Sequence, residues 1–212
     1  MKKILAMTLA VILALSMAAC GSAGSDIIQD IATDLQNKLL RGAVVGNVYS
    51  SEYSGLTFTA PEGWIYATDE QIAQTMQIGQ EDLSDDVAYN EAVANLASVY
   101  DAMVTGPDGS NINFLFENLQ VTNALSYSEE DYLNAVKSQL SMLTELTYEI
   151  SDEITTVQLC GQDYSVMSAV TSYNGVNMVQ NYYVRRVGNY ICAVVMTCVG
   201  DTAPESLEAC FG

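Results

Sequence analysis

DYSVMSAVTSYNGVNMVQNYYVRRVGNYICAVVMTCV, residues 163–199, decides the fold. Asn174-Gly175 lies near its centre and is the strongest two-residue hairpin signal in the chain. Both residue types accept the left-handed backbone that a tight turn between twisted strands requires. The flanking segments, 163–173 and 176–187, are rich in Val, Tyr and Thr and read as strands. Gly188-Asn189 marks a second turn, and 190–199 a further strand. That last strand is apolar on both parities: Ile191, Ala193 and Val195 on one, Cys192, Val194 and Met196 on the other. Such a strand is buried on both faces and belongs in the middle of a sheet. The meander therefore predicts an antiparallel sheet with cover on both sides.

The cover is found upstream. Ser128 caps a helix whose first turn carries Glu129, Glu130 and Asp131, where the helix dipole favours negative charge. Leu133, Val136, Leu140 and Leu143 form its apolar stripe. Thr68 with Gln71 makes a capping box that opens a second helix through Ile72 and Met76, and 87–96 reads as a third. Residues 99–105 and the alternating Ile112, Phe114 and Phe116 form strands on either side of the turn Gly106-Pro107-Asp108-Gly109. Leu56, Phe58 and Ala60 alternate in another strand, which Pro61-Glu62-Gly63 ends. Residues 147–160 read as a strand, and Pro204 opens a closing helix with Leu207 and Phe211. Hairpins and helices in this order define an α+β fold.

The amino terminus is an address. Lys2 and Lys3 precede an apolar run from 4 to 15, followed by Ser16-Met17-Ala18-Ala19-Cys20. A membrane-spanning helix needs about 20 apolar residues, so the shorter run reads as a secretory signal. Ala18-Ala19-Cys20 resembles the lipobox of bacterial lipoproteins, with Met17 where leucine is preferred. The resemblance implies lipidation of the Cys20 thiol by diacylglyceryl and palmitate-type acyl chains. Two or more acyl chains hold a protein stably, since each buried methylene contributes about 0.8 kcal/mol. The chain then divides into a signal peptide (1–19), a tether and linker with a short helix (20–52) and one domain (53–212). The tether helix rests on the stripe Ile27, Ile28, Ile31, Leu35 and Leu39, and 42–55 reads as linker. Cleavage removes Lys2 and Lys3, leaving 5 basic against 26 acidic residues, so the formal charge moves from −19 to −21. A surface of that sign repels anionic headgroups, so acyl chains must do the anchoring.

Three segments suggest a family for the domain: YSGLTFTAPEGW (53–64), SEEDYLNAV (128–136) and PESLEACF (204–211). In this order they resemble PsbP-like domains, including DcrB-type bacterial lipoproteins, over roughly 53–211. The clearest motif is Phe58, Pro61, Gly63 and Trp64. The resemblance implies an α/β/α sandwich around a mostly antiparallel sheet. It brings no catalytic residue with it.

Composition narrows the chemistry. Zero histidine among 212 residues removes the commonest general base and metal ligand. A net charge of −19 argues against nucleic acid as a partner. Four cysteines follow Cys20: Cys160, Cys192, Cys198 and Cys210. Cys192 and Cys198, six residues apart on one strand, lie about 20 Å from each other and cannot pair. Two disulfides would join 160–192 with 198–210, or 160–198 with 192–210; buried thiols are the alternative, and both readings stay open. The spacing does not suit a zinc site. The acidic run 81–86 lacks the pattern of a calcium loop and reads as a solvated connection. Arg185 and Arg186 point to opposite faces, where ion pairs are their expected use. Trp64 is expected to plug a sheet edge. No catalytic residue, metal site or cofactor is implied. The expected function is a lipid-anchored lipoprotein on the extracytoplasmic face of the cell membrane, with a non-enzymatic binding or accessory role toward an unknown envelope protein or small ligand. A solute-binding module is the alternative, and a carboxylate- or metal-dependent hydrolase a more distant one.

Overall fold

The structure is a computed structural model that describes residues 38–144 and 146–212. Cys20, the signal segment and nearly all of the tether's helical stripe lie outside the described residues. In chain order the elements are β1 (Ala43–Val45), β2 (Val48–Ser51), β3 (Leu56–Thr59), β4 (Ile65–Tyr66), α1 (Asp69–Met76), α2 (Asp86–Val93), β5 (Ser98–Thr105), β6 (Asn111–Asn118) and α3 (Glu129–Met142). Then follow β7 (Tyr148–Ile150), β8 (Thr155–Leu159), β9 (Gln162–Tyr173), β10 (Val176–Val187), β11 (Tyr190–Val199) and α4 (Pro204–Glu208).

The meander is the centre of an eight-stranded sheet ordered β4-β5-β6-β11-β10-β9-β7, with β8 also paired to β9. Its pairings are all antiparallel. Asn174 and Gly175 take φ of 53° and 80°, which only such a turn dipeptide adopts cheaply. β11 is buried at every position except Val199, as its two apolar parities require.

Both faces are covered. On one, Leu115, Met167, Ala169, Tyr182, Val184, Ile191, Ala193 and Val195 pack beneath Tyr132, Leu133, Val136 and Leu140 of α3. The other face is shared. Val99, Phe116, Tyr190 and Cys192 meet Ile72, Ala73 and Met76 of α1 and Tyr89 and Val93 of α2. Beside them Phe114, Tyr164, Tyr183, Val194 and Met196 meet Tyr49, Leu56, Phe58 and Leu207. The fold is α+β, with helices on both faces of an antiparallel sheet.

Part of that second cover was not expected from sequence. Residues 42–52, read as linker, supply β1 and β2 of a separate three-stranded sheet, β1-β2-β3. β1 is wholly exposed, so burial does not select it; its valines favour extended backbone, and the Gly46-Asn47 turn pairs it with β2. Tyr49 drives the arrangement by placing its ring 4.2 Å from that of Phe114. The packed chain begins earlier still. Leu39 is fully buried, and its backbone N–H and C=O both bond the Asn90 side-chain amide. The strand expected over 147–160 is also broken. Ile150 pairs with Ala169 and Thr155 with Val166; the Ser151 N–H still bonds the Ser168 carbonyl, and residues 152–154 loop out. Lys137 holds that loop through the Ser151 carbonyl and the Asp152 carboxylate.

Candidate functional site

Alternation and register assemble an unexpected polar tract on the α3 face. Thr105, Asn111, Thr197 and Gln180 stand side by side across β5, β6, β11 and β10. Met103, Asn113, Val195 and Tyr182 form the next rank, and Glu117 lies two ranks beyond, opposite Ser98. Asn111, Asn113, Glu117, Gln180 and Thr197 are all buried. The Gln180 amide donates to Thr197 Oγ1 at 3.1 Å, and the Tyr182 hydroxyl donates to Gln180 Oε1 at 3.2 Å. The Asn113 amide donates to Asn111 Oδ1 at 3.3 Å, and Asn111 in turn to the Gly109 carbonyl.

α3 bounds the tract on one side. The helix packs over β10, β9 and β7. Tyr132 and Gln139, seven residues apart, share one flank of it. Tyr132 lies within electrostatic reach of Glu117, Tyr182 and Tyr100. Two buried acceptors lack partners: Glu117 Oε2, three ranks from Gln180, and Gln139 Oε1 on α3. Glu117 Oε1 accepts from the Ser98 hydroxyl at 2.8 Å. At 2% exposure, burial raises the Glu117 carboxyl to about 7 against the opposing Ser98 bond. Near neutrality it is therefore a mixture of neutral acid and carboxylate. Each unsatisfied buried polar group costs about 1–3 kcal/mol, and an apolar face would pack without that cost.

The alternation of Ile112, Phe114 and Phe116 marks one parity of this strand as apolar, yet all eight residues of β6 are buried. A signal was available. β11 is apolar on both parities, so a neighbour's polar parity must also face protein.

A second buried carboxylate, Asp101, lies against residues 41–42. Asp101 sits where the β5–β6 register shifts between Tyr100 and Ala102. It accepts from the Tyr49 hydroxyl at 2.7 Å and the Gly42 N–H at 2.9 Å. Burial raises its carboxyl to about 6, opposed by those bonds and by Arg41. Arg41 itself pairs with Asp69. An open groove of about 660 Å³ lies beside the β9–β10 turn, lined by Thr147, Glu149, Ser172, Tyr173 and Asn177 among others.

The residues singled out from sequence fall in separate places. Cys192 and Cys198 lie on β11 facing away from α3, and burial pushes both thiols up to about 12. Cys160, in the β8–β9 turn, accepts from the Thr57 N–H and donates to the Thr57 carbonyl, both at 3.3 Å. Cys210 follows α4 and donates to the Ser206 carbonyl. All four are free thiols in the structure. In the acidic run, Asp82 accepts from the Gly79 N–H, and Asp85 caps α2 through the N–H groups of Val87 and Ala88. Arg185 and Arg186 do point apart, but among the described residues their guanidinium groups donate to carbonyls rather than carboxylates, while the Arg186 backbone N–H donates to Glu129. Arg185 bonds Ser54, while Arg186 bonds Leu125, Tyr127 and Gly188. Trp64 packs against the core beside Gly106 of the β5–β6 turn.

Fold and site together define an α+β domain with a polar tract built into an otherwise apolar sheet face. No family model matches the chain, and no curated protein matches it. Among solved structures, the crystal structure of LpqN, described as involved in cell envelope biogenesis of Mycobacterium tuberculosis, is similar over 73% of this chain and 76% of its own, with 11% identity and a TM-score of 0.37. A likeness of that size carries no argument about function. Among the described residues, no helix is long and apolar enough to cross a membrane.

Proposed function

We propose that this chain is a lipid-anchored extracytoplasmic lipoprotein whose PsbP-like domain has a non-enzymatic binding or accessory role at the cell envelope. The carrying observation is the basic start, short apolar run and small residues that lead directly into Cys20. The structure adds how an anchor would load the domain. Nineteen residue steps separate Cys20 from Leu39, a reach of at most about 65 Å. The far end of that tether is clamped by Leu39 on Asn90, Arg41 on Asp69 and Gly42 on Asp101. A domain so held samples the space next to the bilayer while its charge keeps it off anionic headgroups.

Fractionation and intact-mass analysis of the wild type and Cys20→Ser test this. The wild type should partition with membranes and carry acyl mass, and the variant should be soluble outside the cytoplasm. Membrane retention of Cys20→Ser would overturn the anchor. A second reading, a solute-binding module, is favoured by the buried polar tract beside α3.

A further inference from the structure

We propose that residues 39–42 are a strap latched by the Asp101 carboxyl, and that the strap holds more tightly at acid than at alkaline pH. The device goes beyond the proposed binding role and does not depend on the anchor at Cys20. Geometry carries it. Asp101 is 2% exposed, yet no cation among the described residues bonds to it. Its oxygens accept from the Tyr49 hydroxyl at 2.7 Å and from the Gly42 N–H at 2.9 and 3.1 Å. Gly42 lies so close that a methyl added there would stand 2.5 Å from Oδ2. The strap is thus part of the wall that keeps water from the carboxyl. Its other holds are Leu39 on Asn90, and Arg41 on Asp69 and the Leu83 carbonyl.

The two protonation states meet the strap differently. The neutral acid keeps both contacts, because its hydroxyl can donate to the Tyr49 oxygen while its carbonyl accepts from Gly42. The carboxylate keeps them too, but at the cost of its hydration. Lifting the strap restores that water, so ionisation favours the open strap. Burial raises the carboxyl from 3.8 to about 6, against the Tyr49 and Gly42 bonds and the Arg41 charge. The closed strap therefore holds a proton that the open strap releases. Closure is strongest below 3.8 and weakens as pH rises through about 6. Other groups facing Asp101 stay neutral in that window. Burial raises Tyr49 of β2 and Tyr89 of α2 above their ordinary value of 10, and Cys192 of β11 to about 12. Arg41 is the charge that the strap itself brings, and it pairs with Asp69 rather than with Asp101.

Hydrogen exchange of the full-length chain tests the inference. It is read by mass spectrometry between pH 4 and pH 8 and corrected for the intrinsic rate at each pH. Segment 39–43 should be less protected than β11 at every pH, and its protection should fall about 50-fold from pH 4 to pH 8. Asp101→Asn should cut that fall to about threefold or less. Where this variant lowers the folded fraction, Tyr49→Phe serves. It removes a bond that favours the carboxylate, so the fall should continue to a higher pH. Strap protection that is flat with pH overturns the inference. Protection that rises with pH does so as well, since it would give control of the strap to the Arg41–Asp69 pair. So does a strap that exchanges only together with β11, or a pH dependence left unchanged by both substitutions.

Discussion

Glu117→Gln should make the protein more stable at alkaline pH and change it little at acid pH. The side chain is 2% exposed. Burial lifts its carboxyl from an unfolded value near 4.5 to about 7. Between those two values the native state holds a proton that the unfolded chain has released, so stability falls as pH rises through that window. The contribution is complete below pH 4.5 and is lost as pH passes 7. At about 1.4 kcal/mol per pH unit, the interval corresponds to about 3 kcal/mol. Glutamine keeps the shape of the neutral acid and cannot ionise. The stability difference, variant minus wild type, should therefore grow by about 3 kcal/mol between pH 4.5 and pH 8. Asp101 is raised in the same direction and will tilt both curves equally, so only the difference isolates Glu117. Urea unfolding of both proteins in the Cys20→Ser background, followed by circular dichroism at several pH values, gives that difference directly. A difference that is flat with pH, or that shrinks as pH rises, would refute burial as the cause of the shift.

Two further predictions concern packing. In Gly42→Ala the new methyl would lie 2.5 Å from Asp101 Oδ2 and 2.6 Å from the Tyr49 ring. It should lower stability by about 1–3 kcal/mol, seen as a reduced Tm, and unchanged melting would mean that the clamp at 39–42 contributes nothing. Leu133→Ala removes a fully buried contact between α3 and the sheet. A loss of about 2–5 kcal/mol is expected, and denaturant midpoints that move by less than a tenth of a molar would count against α3 as the cover of that face.

The elements that read correctly from sequence are those whose signal is local. The Ser128 capping box stands in the structure with Asp131 as its reciprocal partner, because cap and partner are three residues apart. Thr68 and Gln71 close the same way. The Asn174-Gly175 turn needs only its own two backbones, and β11 announced its central place by being apolar on both parities. One local signal was passed over: Val44-Val45 and Val48-Tyr49 flank the two-residue turn Gly46-Asn47 that joins β1 to β2. Other misses depend on distant partners. The break between β7 and β8 depends on what β9 offers opposite.

The candidate site divides along the same line. The proposed lipidation site, Cys20, rests on purely linear determinants, since the residues that lead into it are contiguous. The tract of Asn111, Asn113, Gln180 and Thr197 is spread over three strands, with Gln180 69 positions beyond Asn111 in the chain. Those residues meet only through strand register, and their polarity reads as solvent exposure until the neighbouring strand is known to be buried. Sequence by itself settled the α+β class, the meander and the main helix caps, because backbone turns and caps are decided within a few residues. Only the tertiary structure decided that β3 completes a second sheet with β1 and β2, that the polar parity of β6 is interior, and that Glu117 Oε2 and Gln139 Oε1 are buried without a partner. Each of those depends on which strands come to lie side by side, a property that no single segment carries.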